Sequence, residues 1–235
     1  MWQLVRSGYR SSSLVALGIL GAVYAAVALI WNQYIDISRG MDWLLVGIWA
    51  FMTAVLCWNI QPRRDILRVG VGFVGGLCIE AWGTLTELWT YFTVERPPLW
   101  ILPAWPVAAL AIDRMAQVLD SVWPQRGAWP LWALLLPSFV IWMSIFVQPT
   151  WEMNATRLAM VGMVGVLVTV RDPRSDLLLF VSGSVLGIFL EYWGTSRYCW
   201  TYYTREIPPL QAMVAHGFAS VAFARGVSLL EGRLR

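Results

Sequence analysis

The sequence predicts an all-α polytopic membrane protein, about eight transmembrane helices arranged as two parallel four-helix repeats. Three observations predict it. Hydrophobic residues make up 58% of the 235 positions and charged residues only 13%, against about 25% charged in an ordinary soluble domain. Apolar runs close to the roughly 20 residues that a span needs recur eight times along the chain. The chain also repeats itself at an offset of 111 positions.

The candidate spans cover residues 13–31, 41–60, 66–86, 99–120, 128–148, 155–170, 176–195 and 209–230. The first follows a basic stretch, residues 1–10, which has the layout of a signal peptide; the repeat argues that it is kept, because it balances the fifth span. All 17 basic residues are arginine. With the N-terminus inside, Arg6, Arg10, Arg63, Arg64, Arg68, Arg114, Arg126, Arg171, Arg174, Arg225, Arg233 and Arg235 fall in cytoplasmic segments and the other five fall opposite. That bias predicts both termini in the cytoplasm and a bacterial cytoplasmic (inner) membrane as the location. The arginines spread along loop ends and do not gather on one face, which excludes a nucleic-acid surface. Cys57, Cys78 and Cys199 are too few and too scattered for a disulfide framework or a metal cluster. With His216 the single histidine, haem and di-iron sites built on histidines are excluded, and neither a metal nor a cofactor is expected.

Sliding the chain by 111 places Pro62, Arg63 and Asp65 on Pro173, Arg174 and Asp176, and carries Glu80 and Trp82-Gly83-Thr84 onto Glu191 and Trp193-Gly194-Thr195. Trp89-Thr90-Tyr91 falls on Trp200-Thr201-Tyr202, and Pro97-Pro98-Leu99 on Pro208-Pro209-Leu210. About half of positions 62–99 are identical without a gap, so the units are residues 1–122 and 123–235 of one integrated membrane domain. Four helices per unit make both copies point the same way, related by an axis along the membrane normal, and sites in such proteins lie between the copies.

Gly72, Gly76, Glu80 and Thr84 recur every four residues and share one helical stripe, as do Gly183, Gly187, Glu191 and Thr195. A small-residue stripe admits close helix approach in lipid, so both glutamates point into the bundle, in the outer half of the bilayer. An intramembrane carboxylate is costly and marks a functional site by default. The structural alternative is a protonated glutamate that ties helices together through Thr84 or Trp82.

The aromatic residues that follow each motif have two readings. One is an interfacial belt closed by a double proline; the other is a dry cage that stabilises a cation through ring quadrupoles. Trp82 and Trp193, inside the spans, favour the cage. The candidate catalytic residues are therefore Glu80, Glu191 and His216. Trp82, Trp193, Thr84, Thr195, Trp89, Trp200, Tyr91, Tyr202 and Trp105 are the candidate substrate-binding residues. His216 stands in the place of Trp105 and is the candidate proton partner of Glu191. Asp36, Asp42, Glu95, Glu152 and Glu206 read as loop charges, and Asp113 with Arg114 as a cap on the fourth helix.

The string Glu80-x-x-Gly83-x-x-Thr86, with Trp89-x-Tyr91, Pro98 and Pro103-x-Trp105 after it, resembles the signature of membrane carotenoid biosynthesis proteins of the carotenoid hydratase type. The duplicated architecture with one acid per half is similar to that of integral-membrane lycopene and terpene cyclases. Here Glu87 replaces the glycine after the signature threonine, and the Pro-x-Glu-Glu element of the cyclases is absent. The resemblance implies an enzyme (a lyase or an isomerase) that protonates a C=C bond of a lipid-soluble isoprenoid, leading to hydration or cyclisation. Two other readings stay open: a non-catalytic membrane subunit or assembly factor that binds a pigment, a quinone or a partner helix, and a transporter of a small amphiphile. The expected partners are a lipid-soluble small molecule, membrane lipid, and a membrane protein partner or a second copy of the chain.

Overall fold

The computed structural model describes residues 8–30, 43–123, 128–169 and 172–233, among which the chain forms eight α-helices. They are α1 (Ser11–Ile30), α2 (Trp43–Leu56), α3 (Pro62–Leu85), α4 (Ala104–Asp120), α5 (Ala128–Phe146), α6 (Asn154–Leu167), α7 (Pro173–Ser196) and α8 (Leu210–Arg233). Arg6, Asp36, Asp42, Arg126, Arg171 and Arg235, to which the sequence assigns loop or terminal positions, lie outside the described residues. Five helices (α1, α3, α5, α7 and α8) are long and apolar enough to cross a membrane, which makes the chain a multi-pass membrane protein. At 14 residues each, α2 and α6 reach about 21 Å, short of the roughly 30 Å hydrocarbon core. Helix α4 begins at Ala104, later than the expected 99, because Pro97, Pro98 and Pro103 hold the preceding chain out of a helix.

Local chemistry sets the ends of the two central helices. Pro62 and Pro173 open α3 and α7, where the missing N–H is no loss and the fixed φ already suits a helix. At the other end, Leu88 N–H donates to the Gly83 carbonyl at 3.0 Å and Cys199 N–H to the Gly194 carbonyl at 2.9 Å, while Glu87 and Tyr198 N–H bond to the carbonyls of Thr84 and Thr195. This is the Schellman closure, with Glu87 (φ 59°) and Tyr198 (φ 56°) at the left-handed position that glycine normally takes. The chain then runs straight into strands β1 (Trp89–Tyr91) and β2 (Trp200–Tyr202).

An all-helical reading misses that pair of strands. They form an antiparallel ladder with Trp89 opposite Tyr202, Thr90 opposite Thr201 and Tyr91 opposite Trp200. Two copies of one tripeptide thus pair about their central threonines. The period of two turns the Trp and Tyr side chains to the buried face and leaves the threonines outside. Flanking bonds from Phe92 N–H to the Cys199 carbonyl and from Tyr203 N–H to the Leu88 carbonyl extend the ladder. Val94 (φ 62°) and Arg205 (φ 63°) close the turns that follow. A β-branched residue is strained there, so Val94→Gly, at an exposed position, should raise stability by about 0.5–1 kcal/mol in thermal unfolding of the micelle-bound protein.

Helix α4 packs on α3 and α7, α8 packs on α7 and α3, and the short helices α2 and α6 brace α4 and α8. Small residues make these contacts close. A Cβ on Gly72 would lie 3.1 Å from Pro106 Cα, and one on Gly183 would lie 2.8 Å from the His216 carbonyl. The outer helices differ between the halves. Helix α5 packs on α7 and α8, whereas α1 leans on α2 through Tyr9 to the Ala54 carbonyl, Ser13 to the Cys57 carbonyl, and Tyr24 to Thr53.

Several arginines that the sequence assigns to loop ends are in fact buried within helices. Arg114 lies in the middle of α4 and is no helix cap. It pairs with Asp65 of α3 at 2.5 Å and Asp113 at 2.8 Å, and donates to the Trp58 carbonyl at 2.8 Å. Arg68 bonds Asp113 at 2.5 Å. At the positions 111 further on, Arg225 pairs with Asp176 at 2.5 Å. An arginine inside an apolar bundle is tolerated only when paired in this way.

Candidate functional site

The Glu-x-Trp-Gly-Thr motif builds its own surroundings in each half. Glu80 emerges from the glycine stripe of α3, and the chain turns back through the Schellman closure so that β1 lies over it. Trp89 Nε1 then donates to Glu80 Oε2 at 3.0 Å and Tyr91 Oη to Oε1 at 2.9 Å. Glu191 receives the same two bonds from Trp200 and Tyr202, each at 2.9 Å. Gly83 and Gly194 make these bonds possible, because a Cβ at either position would collide with the tip of the Trp89 or Trp200 indole. Gly83→Ala or Gly194→Ala should therefore displace the indole from its carboxylate and cost about 1–3 kcal/mol as an overpacking lesion, read as a lower unfolding temperature in detergent.

The third bond separates the halves. Gly76 lets the Trp105 ring lie on α3, so that Trp105 Nε1 donates to Glu80 Oε1 at 3.1 Å. Gly187 lies under His216, with its added Cβ only 2.7 Å from His216 Cβ, and His216 Nε2 bonds Glu191 Oε1 at 3.0 Å. Trp105 and His216 stack with centroids 5.6 Å apart and planes 14° from parallel. Both glutamates are buried, at 3% and 5% exposure. They face a single cavity of about 150 Å³ lined from both halves, by Ile79 and Leu190, Ala104 and Ala215, Ala108 and Ala219, besides the carboxylates and their partners. Tilted ring contacts join the walls, Trp89 to Tyr202 and Tyr91 to Trp200, each with centroids 5.8 Å apart.

Of the residues singled out from the sequence, Glu80, Glu191, His216, Trp82, Trp89, Trp200, Tyr91, Tyr202 and Trp105 all line this cavity. Thr84 and Thr195 do not. Each donates to the backbone carbonyl one turn back, of Glu80 and Glu191, at 2.6 Å, which consumes the hydroxyl in the helix. Neither the Thr84 hydroxyl nor the Trp82 indole bonds the Glu80 carboxylate, since Trp82 Nε1 donates to Thr156 at 3.2 Å. Trp193 lies outside the cavity lining, and its Nε1 is buried without a hydrogen-bond partner. Among the aromatic residues that follow the motifs, Trp89, Tyr91, Trp200 and Tyr202 are buried, while Phe92, Tyr198 and Tyr203 are exposed. Sequence reasoning overlooked Met143 and Phe146 of α5, which line the cavity from a helix without any motif of its own.

Among the described residues, no group of three or more His, Cys, Asp or Glu side chains is placed to hold a metal ion. The chemistry available in the cavity is that of two carboxylates, one imidazole, and aromatic faces in a mainly apolar lining. Comparison with protein-family models, with curated proteins and with solved structures returns no match for the chain.

Proposed function

We propose that this chain is an integral-membrane enzyme that protonates a C=C bond of a lipid-soluble isoprenoid, with Glu191 as the acid, His216 as its proton partner, and Glu80 as the fixed counter-charge to the cation that results. One observation carries the reading. Two carboxylates face one cavity, but their third partners differ in kind. Trp105 Nε1 is a donor only, whereas an imidazole nitrogen either gives or accepts a proton. Proton exchange is thus available to Glu191 through the 3.0 Å bond to His216, and Glu80 sits in a ring of Trp89, Tyr91 and Trp105 donors that suits a carboxylate.

In the reaction, the Glu191 proton forms a new C–H bond with one alkene carbon as the π bond breaks, and the adjacent carbon becomes cationic. The Trp89, Trp105 and Trp200 rings and the Glu80 carboxylate stabilise that charge without reorganising. Attack by a second double bond forms the new C–C bond and moves the cation, and loss of a proton from the neighbouring carbon to the Glu191 carboxylate, which restores the acid, gives a cyclised isomer. Capture of water, with its spare proton returned to Glu191, gives a hydrated product.

The same proposal takes the eight helices as two parallel four-helix repeats, with both termini cytoplasmic and the cavity in the outer half of a bacterial inner membrane. The ladder fits two copies related by a two-fold axis, because a two-fold perpendicular to a strand turns it into its antiparallel neighbour, and β1 pairs with β2 about the matching threonines. The partners that fit are a lipid-soluble small molecule and the surrounding lipid.

The test is to supply linear isoprenoids of graded length, linear carotenoids included, to membranes that contain the protein, and to analyse the extracts by mass. A product of unchanged mass or one heavier by a water supports the reading. No conversion of any of them overturns it.

A further inference from the structure

We infer that the cavity is a binding site for a single-chain lipophilic ammonium ion, with the charged head seated between Glu80 and the aromatic walls and the tail leaving through the open side of the cavity. The inference shares with the proposed function only the placing of a positive charge in this cavity, and it needs no proton transfer.

The charge balance of the lining points to a cation. Two buried carboxylates contribute to the cavity wall, no arginine lines it, and the one basic side chain in the lining, His216, is bonded to Glu191, which leaves Glu80 without a basic neighbour. The buried arginines Arg68, Arg114 and Arg225 are engaged elsewhere, with Asp65, Asp113 and Asp176. Three hydrogen bonds reach each carboxylate, but Glu80 Oε2 and Glu191 Oε2 each receive only one of them, from Trp89 and Trp200. A carboxylate offers about four lone-pair directions, so each keeps one open. The walls add ring faces that attract a cation within about 6 Å of a centroid, more strongly where water is excluded.

The volume limits the head group. About 150 Å³ equals the engineered apolar cavity known to take benzene, which corresponds to a head of about six heavy atoms. A trimethylammonium with its first few methylenes fits, and a longer chain has to continue outside the cavity. The Trp, Tyr and His216 groups of the lining are already bonded to the two carboxylates and much of the rest is alanine, isoleucine and leucine, so an anion would have to displace a carboxylate from its donors, and a neutral lipid of the same shape makes no use of either carboxylate.

The test uses the full chain in nanodiscs and tritiated hexyltrimethylammonium, with empty nanodiscs as background. The unmodified protein should bind saturably at one site per chain. The uncharged carbon isostere, 2,2-dimethyloctane, should not displace the ion. Glu80→Gln should weaken binding at least about tenfold, whereas Leu134→Ala, on the exposed face of α5, should leave it unchanged. Uptake no greater than by empty nanodiscs, equal displacement by the isostere, or undiminished binding to folded Glu80→Gln would each overturn the inference. The two proposals fail separately. Saturable ion binding without conversion of any isoprenoid removes the enzyme and keeps the cation site, and conversion without ion binding does the reverse.

Discussion

Glu191→Gln is expected to lower isoprenoid turnover by about 10²–10⁴-fold, the usual range for removing a general acid, while leaving the protein folded and inserted. The amide keeps nearly the shape of the acid; its oxygen still accepts from Trp200 and its NH2 meets the Tyr202 hydroxyl, which then accepts, but it has no acidic proton to give. His216→Trp places in the second half the residue found in the first. It should lose most of the turnover as well, because an indole N–H accepts nothing, and the stack on Trp105 at 5.6 Å gives the new ring a surface to rest on. Glu80→Gln should also be impaired, but through the cation, so its deficit should be largest for substrates whose intermediates are least stabilised by their own substituents. Product analysis of the three variants at matched protein level, with size-exclusion profiles as the folding control, checks this. Undiminished turnover in Glu191→Gln would sink the proton-donor assignment.

A large loss of stability is expected at the opposite ends of α3 and α4. Arg114 is 1% exposed, and removal of one member of a buried ion pair costs about 3–5 kcal/mol because the other charge is left uncompensated. Arg114→Leu removes one of the two arginines that pair with Asp65 and Asp113 and frees the Trp58 carbonyl, so it should lie within that range. Arg225→Leu leaves Asp176 and the Val166 carbonyl without this partner and should cost at least as much. Adding Asp65→Leu and Asp113→Leu to Arg114→Leu should recover a large part of the loss, since apolar replacements of whole buried pairs are often neutral, although Arg68, which also pairs with both acids, then lacks its partners. Thermal unfolding in detergent, with yield of monodisperse protein, measures each. A loss below about 1 kcal/mol for Arg114→Leu would mean that these charges contribute no more than a surface pair does.

The sequence alone determined the features that follow from local periodicity and composition. Apolar runs near the length of a span made the chain a membrane protein, and the spacing of four from Gly72 to Thr84 placed Glu80 on the same face as the glycines, because a helix brings every fourth residue back to one stripe. The offset of 111 placed Glu191 in the same motif and on the same kind of stripe as Glu80. The substitution of His216 for Trp105 marked the point at which the halves differ.

Only the tertiary structure decided which groups meet those stripes. Trp82 and Thr84 are next to Glu80 in sequence, yet the carboxylate bonds Trp89, Tyr91 and Trp105, because the chain folds back over the helix end after Glu87 enters the left-handed region. The ladder escaped notice for the related reason that a strand of three residues has no periodicity of its own and exists only through its partner 111 positions away. Arg114 and Asp65 are 49 residues apart, so their pairing depends on how α3 and α4 cross, and each alone reads as an ordinary charge near a helix end. Periodicity reports which face of a helix turns inward; what that face touches is set by packing between elements, to which residues distant in the chain contribute on equal terms.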